Sequence, residues 1–357
     1  GFFGSRLIIM AANAKEGIGR QRKRLSVVSG NSLIDGLAAA AIEDSAGGAE
    51  NAKGSTQTCI VEYNGKSKKG YAPYNPKKAN QDSLVMWEDA ASNSLLLCVM
   101  DGHGEFGDKV SQDLKKNWPP LLFGHPDIMT DVPKAITESL NTAEQNMLKK
   151  MAGNADFSGT TFVCVLIRGN ELWSGNVGDS RCTAGDRAED GSFVFRTITE
   201  DQKPDSPGEK ERILAAGGRV FAVQYDDGID GPQRVWLGNM DIPGLAMARS
   251  LGDTIAHSAG VISEPVITYE VLDPEKTAFL CIASDGLWEF MTDQDVISQT
   301  AAAVSEGKQL RPIVDELINT SNNLWLKEEE VIDDTTVCLA WLTGYPPADE
   351  AAAADAS

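Results

Sequence analysis

Leu95-Leu96-Leu97-Cys98-Val99-Met100 is an unbroken apolar run, and it stops at Asp101-Gly102-His103-Gly104. A run with no polar alternation reads as a strand buried on both faces, with other layers of the protein above and below it. The two glycines let the backbone turn sharply at the strand end and approach a ligand closely. Asp101 and His103 are thereby offered on a loop held by a rigid strand, a common way to mount chemistry.

The same layout recurs. The apolar segment 277–283 runs into Ser284-Asp285-Gly286, and segment 171–177 runs into Gly178-Asp179-Ser180-Arg181. Asp333-Asp334 directly precede a further strand, 335–342. Any single Asp-Gly or Gly-Asp is most simply a turn. Four in one strand context point further: set side by side in antiparallel sheets, these strands gather their acids at one edge. Carboxylates close together repel and need compensating cations. Hard oxygen ligands select Mg²⁺ or Mn²⁺. Two such ions about 3.5–4 Å apart can bridge a water, lower its pKa and clamp a phosphoryl group for in-line attack. His103, two residues from a candidate ligand, is positioned to protonate a leaving alkoxide.

Composition narrows the alternatives. With 357 residues, 42% of them hydrophobic, the chain can bury a sizeable core in one large domain or two ordinary ones. Its net charge of -20 opposes nucleic-acid binding, which rests on phosphate neutralisation by Lys and Arg. Six cysteines without CxxC spacing, most of them inside apolar runs, suit free core thiols in a reducing compartment. No apolar run is long enough to span a membrane. No Cys is followed at the sixth position by Arg, no Gly-x-Ser-x-Gly elbow is present, and there is no Walker loop. Three histidines are too few for imidazole-rich metal sites.

Residues 1–56 read as an extension, with a basic run at Arg20-Gln21-Arg22-Lys23-Arg24 and a short helix within 31–46. Strands are expected at 58–63, 84–87 and 162–167. Helices are expected at 107–118, stopped by Pro119-Pro120, and at 132–151, 209–216 and 313–325. Lys66, Lys68, Lys69, Lys77 and Lys78 crowd one expected loop. Residues 219–244, rich in Gly and Asp, read as an irregular flap, and 344–357 as a disordered tail.

Several motifs stand in a recognisable order. They are Asn80-Gln81-Asp82, Val99-Met100-Asp101-Gly102-His103-Gly104, Ser158-Gly159-Thr160-Thr161, Gly178-Asp179-Ser180-Arg181 and Asp201-Gln202-Lys203-Pro204. Gly244-Leu245-Ala246-Met247-Ala248-Arg249-Ser250-Leu251-Gly252-Asp253, Ala283-Ser284-Asp285-Gly286-Leu287-Trp288 and Asp333-Asp334-Thr335-Thr336 complete the set. Over about residues 57–343, this set resembles the metal-dependent 2C-type Ser/Thr protein phosphatases, the PPM family.

The resemblance implies an α+β fold, a four-layer αββα sandwich with two central antiparallel β-sheets flanked by helices. It implies hydrolysis of phosphoserine and phosphothreonine in proteins by a metal-bridging water, with His103 as general acid. Asp101, Asp285 and Asp333, with the Gly102 carbonyl, would hold two Mg²⁺ or Mn²⁺ ions. Asp82 would bond waters on those ions, and Asp179 with Asp285 would hold a weaker third ion. Lys77 stands where many members carry a phosphate-binding Arg. Lys lacks the bidentate fork of Arg, so weaker substrate binding is expected. Gln81, Gln202, Glu289 and Asp334 stand where Glu, His, Asp and Asn are usual, and none of these changes removes a primary ligand. The expected partners are phosphorylated proteins, with no nucleic acid and no transmembrane segment. A monomer with a cytoplasmic or nuclear location is expected. The alternatives are a catalytically silent relative that binds partners, opposed by the complete acid set, and a two-metal nuclease or small-molecule phosphatase.

Overall fold

The computed structural model describes residues 52–53, 56–225 and 228–342. The basic run, the expected helix within 31–46 and the tail 344–357 lie outside the described residues. Two antiparallel sheets form the centre. One has five strands in the order Val266–Val271, Glu171–Val177, Phe162–Arg168, Ser94–Met100, Ser83–Asp89. The other has six, in the order Ala52–Lys53, Ile60–Lys68, Thr335–Leu342, Thr277–Ala283, Arg181–Arg187, Phe193–Thr197.

The apolar run at 95–100 explains why the layers stack. Successive strand side chains point to opposite faces. Leu95, Leu97 and Val99 meet Ile60, Cys182, Ala184, Leu280, Ile282 and Cys338 of the other sheet. Leu96, Cys98 and Met100 face the opposite way, onto helices Gly107–Phe123 and Val132–Met151. The six-stranded sheet repeats the pattern. Phe279, Cys281, Val337, Leu339 and Trp341 pack against helices Asp293–Ser305 and Leu310–Glu328. The result is helix, sheet, sheet, helix, the expected α+β sandwich. All six cysteines are free and buried.

Trp118 joins the helical layer to the sheet. It is fully buried, lies edge-on to Phe162 at 4.7 Å and donates its ring N–H to Ser139 Oγ at 3.0 Å. Trp118→Ala leaves a large cavity and removes the donor to Ser139. A stability loss of about 3–5 kcal/mol is expected, read from chemical denaturation.

Pro119-Pro120 do not stop their helix, which continues to Phe123. The ring nitrogens forfeit bonds to the carbonyls of Lys115 and Lys116, two exposed positions where water can satisfy the freed oxygens. On the other side the stripe Val110, Leu114, Trp118, Leu122 stays buried through the prolines. Core packing outweighs the local breaker.

The described residues of the 219–244 segment are strand-forming rather than irregular. They form a three-stranded antiparallel sheet, Arg219–Tyr225, Gly228–Leu237 and Met240–Leu245. Phe221 stacks on Trp236 at 5.1 Å, and Arg219 lies 5.1 Å above the Phe221 ring. The β-forming residues Val220, Phe221, Val223, Val235, Trp236 and Leu237 outweigh the glycines and aspartates between them.

Candidate metal centre and active site

The acids collect where the two sheets end together. Asp101 follows its strand and sits on a loop braced from both sides. Its N–H donates to Thr161 Oγ1 at 2.9 Å, and its carbonyl accepts the Thr161 N–H at 2.9 Å. Gly102 donates to the Gln81 carbonyl, and a Cβ there would lie 2.4–2.5 Å from the carbonyl oxygens of Gly107 and Gln81. No side chain fits. Gly104 has φ +81°, and a Cβ on it would meet the Phe157 carbonyl. The spacing that looked like a turn signal is thus a packing requirement.

Asp82 is buried at the crossing of both sheets. Its Oδ2 accepts from Ser284 Oγ at 2.9 Å and Thr336 Oγ1 at 2.7 Å, from the ends of two strands of the other sheet. Its Oδ1 is buried with no hydrogen-bond partner among the described residues. Burial, and then the neighbouring Asp334, raise the Asp82 pKa. Burial also raises that of Asp101, reinforced by the charges of Asp82, Asp285 and Asp333, with Asp285 within hydrogen-bonding reach. The structure therefore brings Asp82, Asp101, Asp285 and Asp333 into one field of like charge. Among the described residues no three acids, His or Cys already close as a metal cage. Hard oxygen donors, mutual repulsion and the buried, unpartnered Asp82 Oδ1 fit divalent cations.

Two lysines partly offset this charge. Lys203 donates to Asp179 Oδ2 at 2.5 Å, from the Asp201-Gln202-Lys203-Pro204 loop. Lys78 reaches Asp333 Oδ1 at 3.1 Å and Asp334 Oδ2 at 3.2 Å. Lys77, the sequence candidate for phosphate binding, is exposed on the same loop, while Lys78 turns inward. The reason lies in Asp334, whose carboxylate accepts the Gly70 N–H at 2.7 Å and the Gln81 N–H at 2.9 Å. That pins both ends of the 70–81 loop and draws Lys78 inward. An Asn at 334 would turn an NH₂ toward a donor, so the unusual Asp matches the lysine it binds.

Gln202 also has its own use. Its side chain accepts from the Gly178 N–H at 2.7 Å and donates to the Asn176 carbonyl at 3.0 Å, fixing the turn before Asp179.

His103 Nε2 lies 2.5 Å from Asp253 Oδ2. Burial favours the neutral ring, but the Asp253 carboxylate outweighs it and raises the His103 pKa above the usual 6.5. Nδ1 is buried with no hydrogen-bond partner among the described residues. Asp253, Lys78 and Lys203 carry no assigned role in the sequence reading. Asp253 and Lys203 lie inside recognised motifs, but nothing local says which side chain each one meets.

Helix–sheet–sheet–helix layering with acids gathered at one edge makes this an α+β sandwich with a candidate metal site. Residues 76–323 match the family model described as Protein phosphatase 2C. "Probable protein phosphatase 2C 72" of Arabidopsis thaliana is 32% identical over 274 residues, covering 74% of this chain and 82% of that relative. "Probable protein phosphatase 2C 64" of Oryza sativa subsp. japonica is 33% identical over 283 residues, covering 77% of this chain and 65% of the relative. This chain belongs to the protein phosphatase 2C family. It spans just under two thirds of the length of several of these relatives. A crystal structure of a serine-threonine phosphatase 2C from Toxoplasma gondii shares the fold. Its TM-score is 0.68 at 18% identity, covering 81% of this chain and 96% of that one.

Proposed function

We propose that the protein is a metal-dependent protein serine/threonine phosphatase. The observation that carries this reading is the convergence of Asp82, Asp101, Asp285 and Asp333 beside a histidine held by its own carboxylate. Asp101, Asp285, Asp333 and the Gly102 carbonyl are the residues to hold two Mg²⁺ or Mn²⁺ ions. When bound, such ions lower the pKa of a water and offset charge on the phosphoryl group. A third, weaker ion at Asp179 has to share that carboxylate with Lys203.

The chain's own groups do the rest. Asp82 is held through Oδ2 by Ser284 and Thr336, which leaves Oδ1 without a hydrogen-bond partner among the described residues and free to bond a water on the ions. Asp253 orients the His103 ring and favours its protonated form, so that Nδ1 can deliver a proton to the departing serine or threonine oxygen. Lys78, the lysine of its loop that reaches the acid cluster, is the candidate to give its remaining donor to a phosphoryl oxygen beside Asp333 and Asp334. For a phosphopeptide with uncharged neighbours, Lys78→Ala is expected to raise KM about tenfold, the effect of losing a hydrogen bond to a charged group. Lys77→Ala should change KM less than twofold. Steady-state kinetics checks both.

The domain is assigned to residues 57–343, with substrate selection in part at the 219–244 sheet. No helix among the described residues is long and apolar enough to cross a membrane. Six free buried thiols support a reducing, intracellular setting. The test is phosphate release from a phosphothreonine peptide with Mn²⁺ or Mg²⁺ against excess chelator. Release only with metal supports the enzyme. No release by folded, metal-loaded protein would shift the reading to the silent binder.

A further inference from the structure

The lysines at 66–78 form a basic cluster in a strongly acidic chain, and the structure sorts them into two groups. Lys66 pairs with Asp315, Lys68 donates to Asn319, and Lys78 holds Asp333 and Asp334. Lys69 and Lys77 form no ion pair among the described residues. Lys69 donates only to the Pro76 carbonyl, at 3.2 Å, which brings it beside Lys77. Lys77 is exposed.

Each is next in sequence to a residue that binds Asp334: Gly70 follows Lys69, and Lys78 follows Lys77. Lys69 follows Lys68, which pairs with Thr335, two residues after Asp333. Lys77 precedes Lys78. Gly70 and Gln81 donate to one carboxylate, Asp334, so the loop between them is closed at its base. Pro73, Pro76 and the turn bonds Asn75 N–H to Ala72 O (2.9 Å) and Lys78 N–H to Asn75 O (3.0 Å) stiffen it. Its tip presents Tyr74, 71% exposed, with Tyr71 partly exposed nearby. A rigid loop offering two ammonium groups that form no ion pair among the described residues, together with exposed aromatic rings, has the chemistry of a recognition surface.

We propose that Lys69 and Lys77 select phosphosites with an anion next to the phosphoresidue, either a carboxylate side chain or a second phosphate. This deepens the phosphatase reading and rests on it. The chain's net charge of -20 works against acidic substrates, so these two charges favour tolerance of an acidic neighbour at the centre. Exposed ion pairs are individually weak, and the expected preference is accordingly moderate, roughly three- to tenfold in kcat/KM for two of them.

The experiment compares phosphothreonine peptides of one core sequence whose neighbours are Glu, Lys, Ala or a second phosphoserine, at low and high salt. p-Nitrophenyl phosphate, which has no neighbours, is assayed in parallel. The readout is the ratio of kcat/KM for the Glu and Lys peptides in the wild type and in the Lys69→Glu/Lys77→Glu variant. A wild-type ratio above one that salt erases and the variant inverts is expected. The Glu and phosphoserine arms show which anion is preferred. A ratio that is the same in both proteins overturns the assignment of these lysines. If p-nitrophenyl phosphate is hydrolysed but the wild-type ratio is one or less, selection fails while the phosphatase stands. If nothing is hydrolysed with metal present, the phosphatase reading itself fails.

Discussion

Asp285→Asn should abolish metal-dependent phosphate release, lowering kcat/KM on a phosphothreonine peptide about a thousandfold, equivalent to several kcal/mol of transition-state stabilisation. Asp285 starts the turn Asp285–Trp288 directly after a fully buried strand and lies within hydrogen-bonding reach of Asp101. The amide keeps the shape and removes the anion. A divalent ion then loses one of its hard donors, and the remaining acids lose part of the charge that attracts it. The fold should hold, because removing one member of a repelling cluster relieves strain in the metal-free protein. Kinetics with Mn²⁺ titration, alongside circular dichroism, checks both halves. Undiminished activity in the variant would remove Asp285 from the centre.

His103→Gln should act through the leaving group. On a phosphopeptide, whose departing alkoxide is a strong base, kcat is expected to fall roughly 10²–10³-fold. On p-nitrophenyl phosphate, whose phenolate leaves without a proton, the fall should stay below about tenfold, since general-acid help is hardly needed there. Asp253→Asn should show the same signature at smaller amplitude, roughly 10- to 100-fold in kcat with KM little changed. Its carboxylate holds Nε2 and favours the charged ring, so it acts through His103. A fall of equal size on both substrates would mean that His103 supports the fold of the site and does not donate the proton.

The strand ends were readable because burial is written locally. A run such as 95–100 must be covered on both faces, and the acid after it must emerge at a sheet edge. The strands Arg181–Arg187, Phe193–Thr197 and Val266–Val271 were missed. They carry Arg, Thr, Gly and Glu among their apolar residues, and their character comes from pairing with neighbours distant in the chain. The prolines at 119–120 and the glycines of 219–244 misled in the opposite direction, where packing overrode a local signal.

The sequence by itself determined which strands are buried on both faces and which acids stand at their ends, since strand burial and a residue's own chemistry are properties of a few adjacent positions. The four-layer stacking was legible only through the resemblance of the ordered motifs. Only the tertiary structure decided which cation meets which acid. Lys78 rather than Lys77 faces the centre because Asp334, over 250 positions away, ties the loop ends together. Asp253 becomes the partner of His103 across 150 positions. Charge pairing falls steeply with distance in space and takes no account of separation along the chain, so such choices exist only once the sheets have closed on one another.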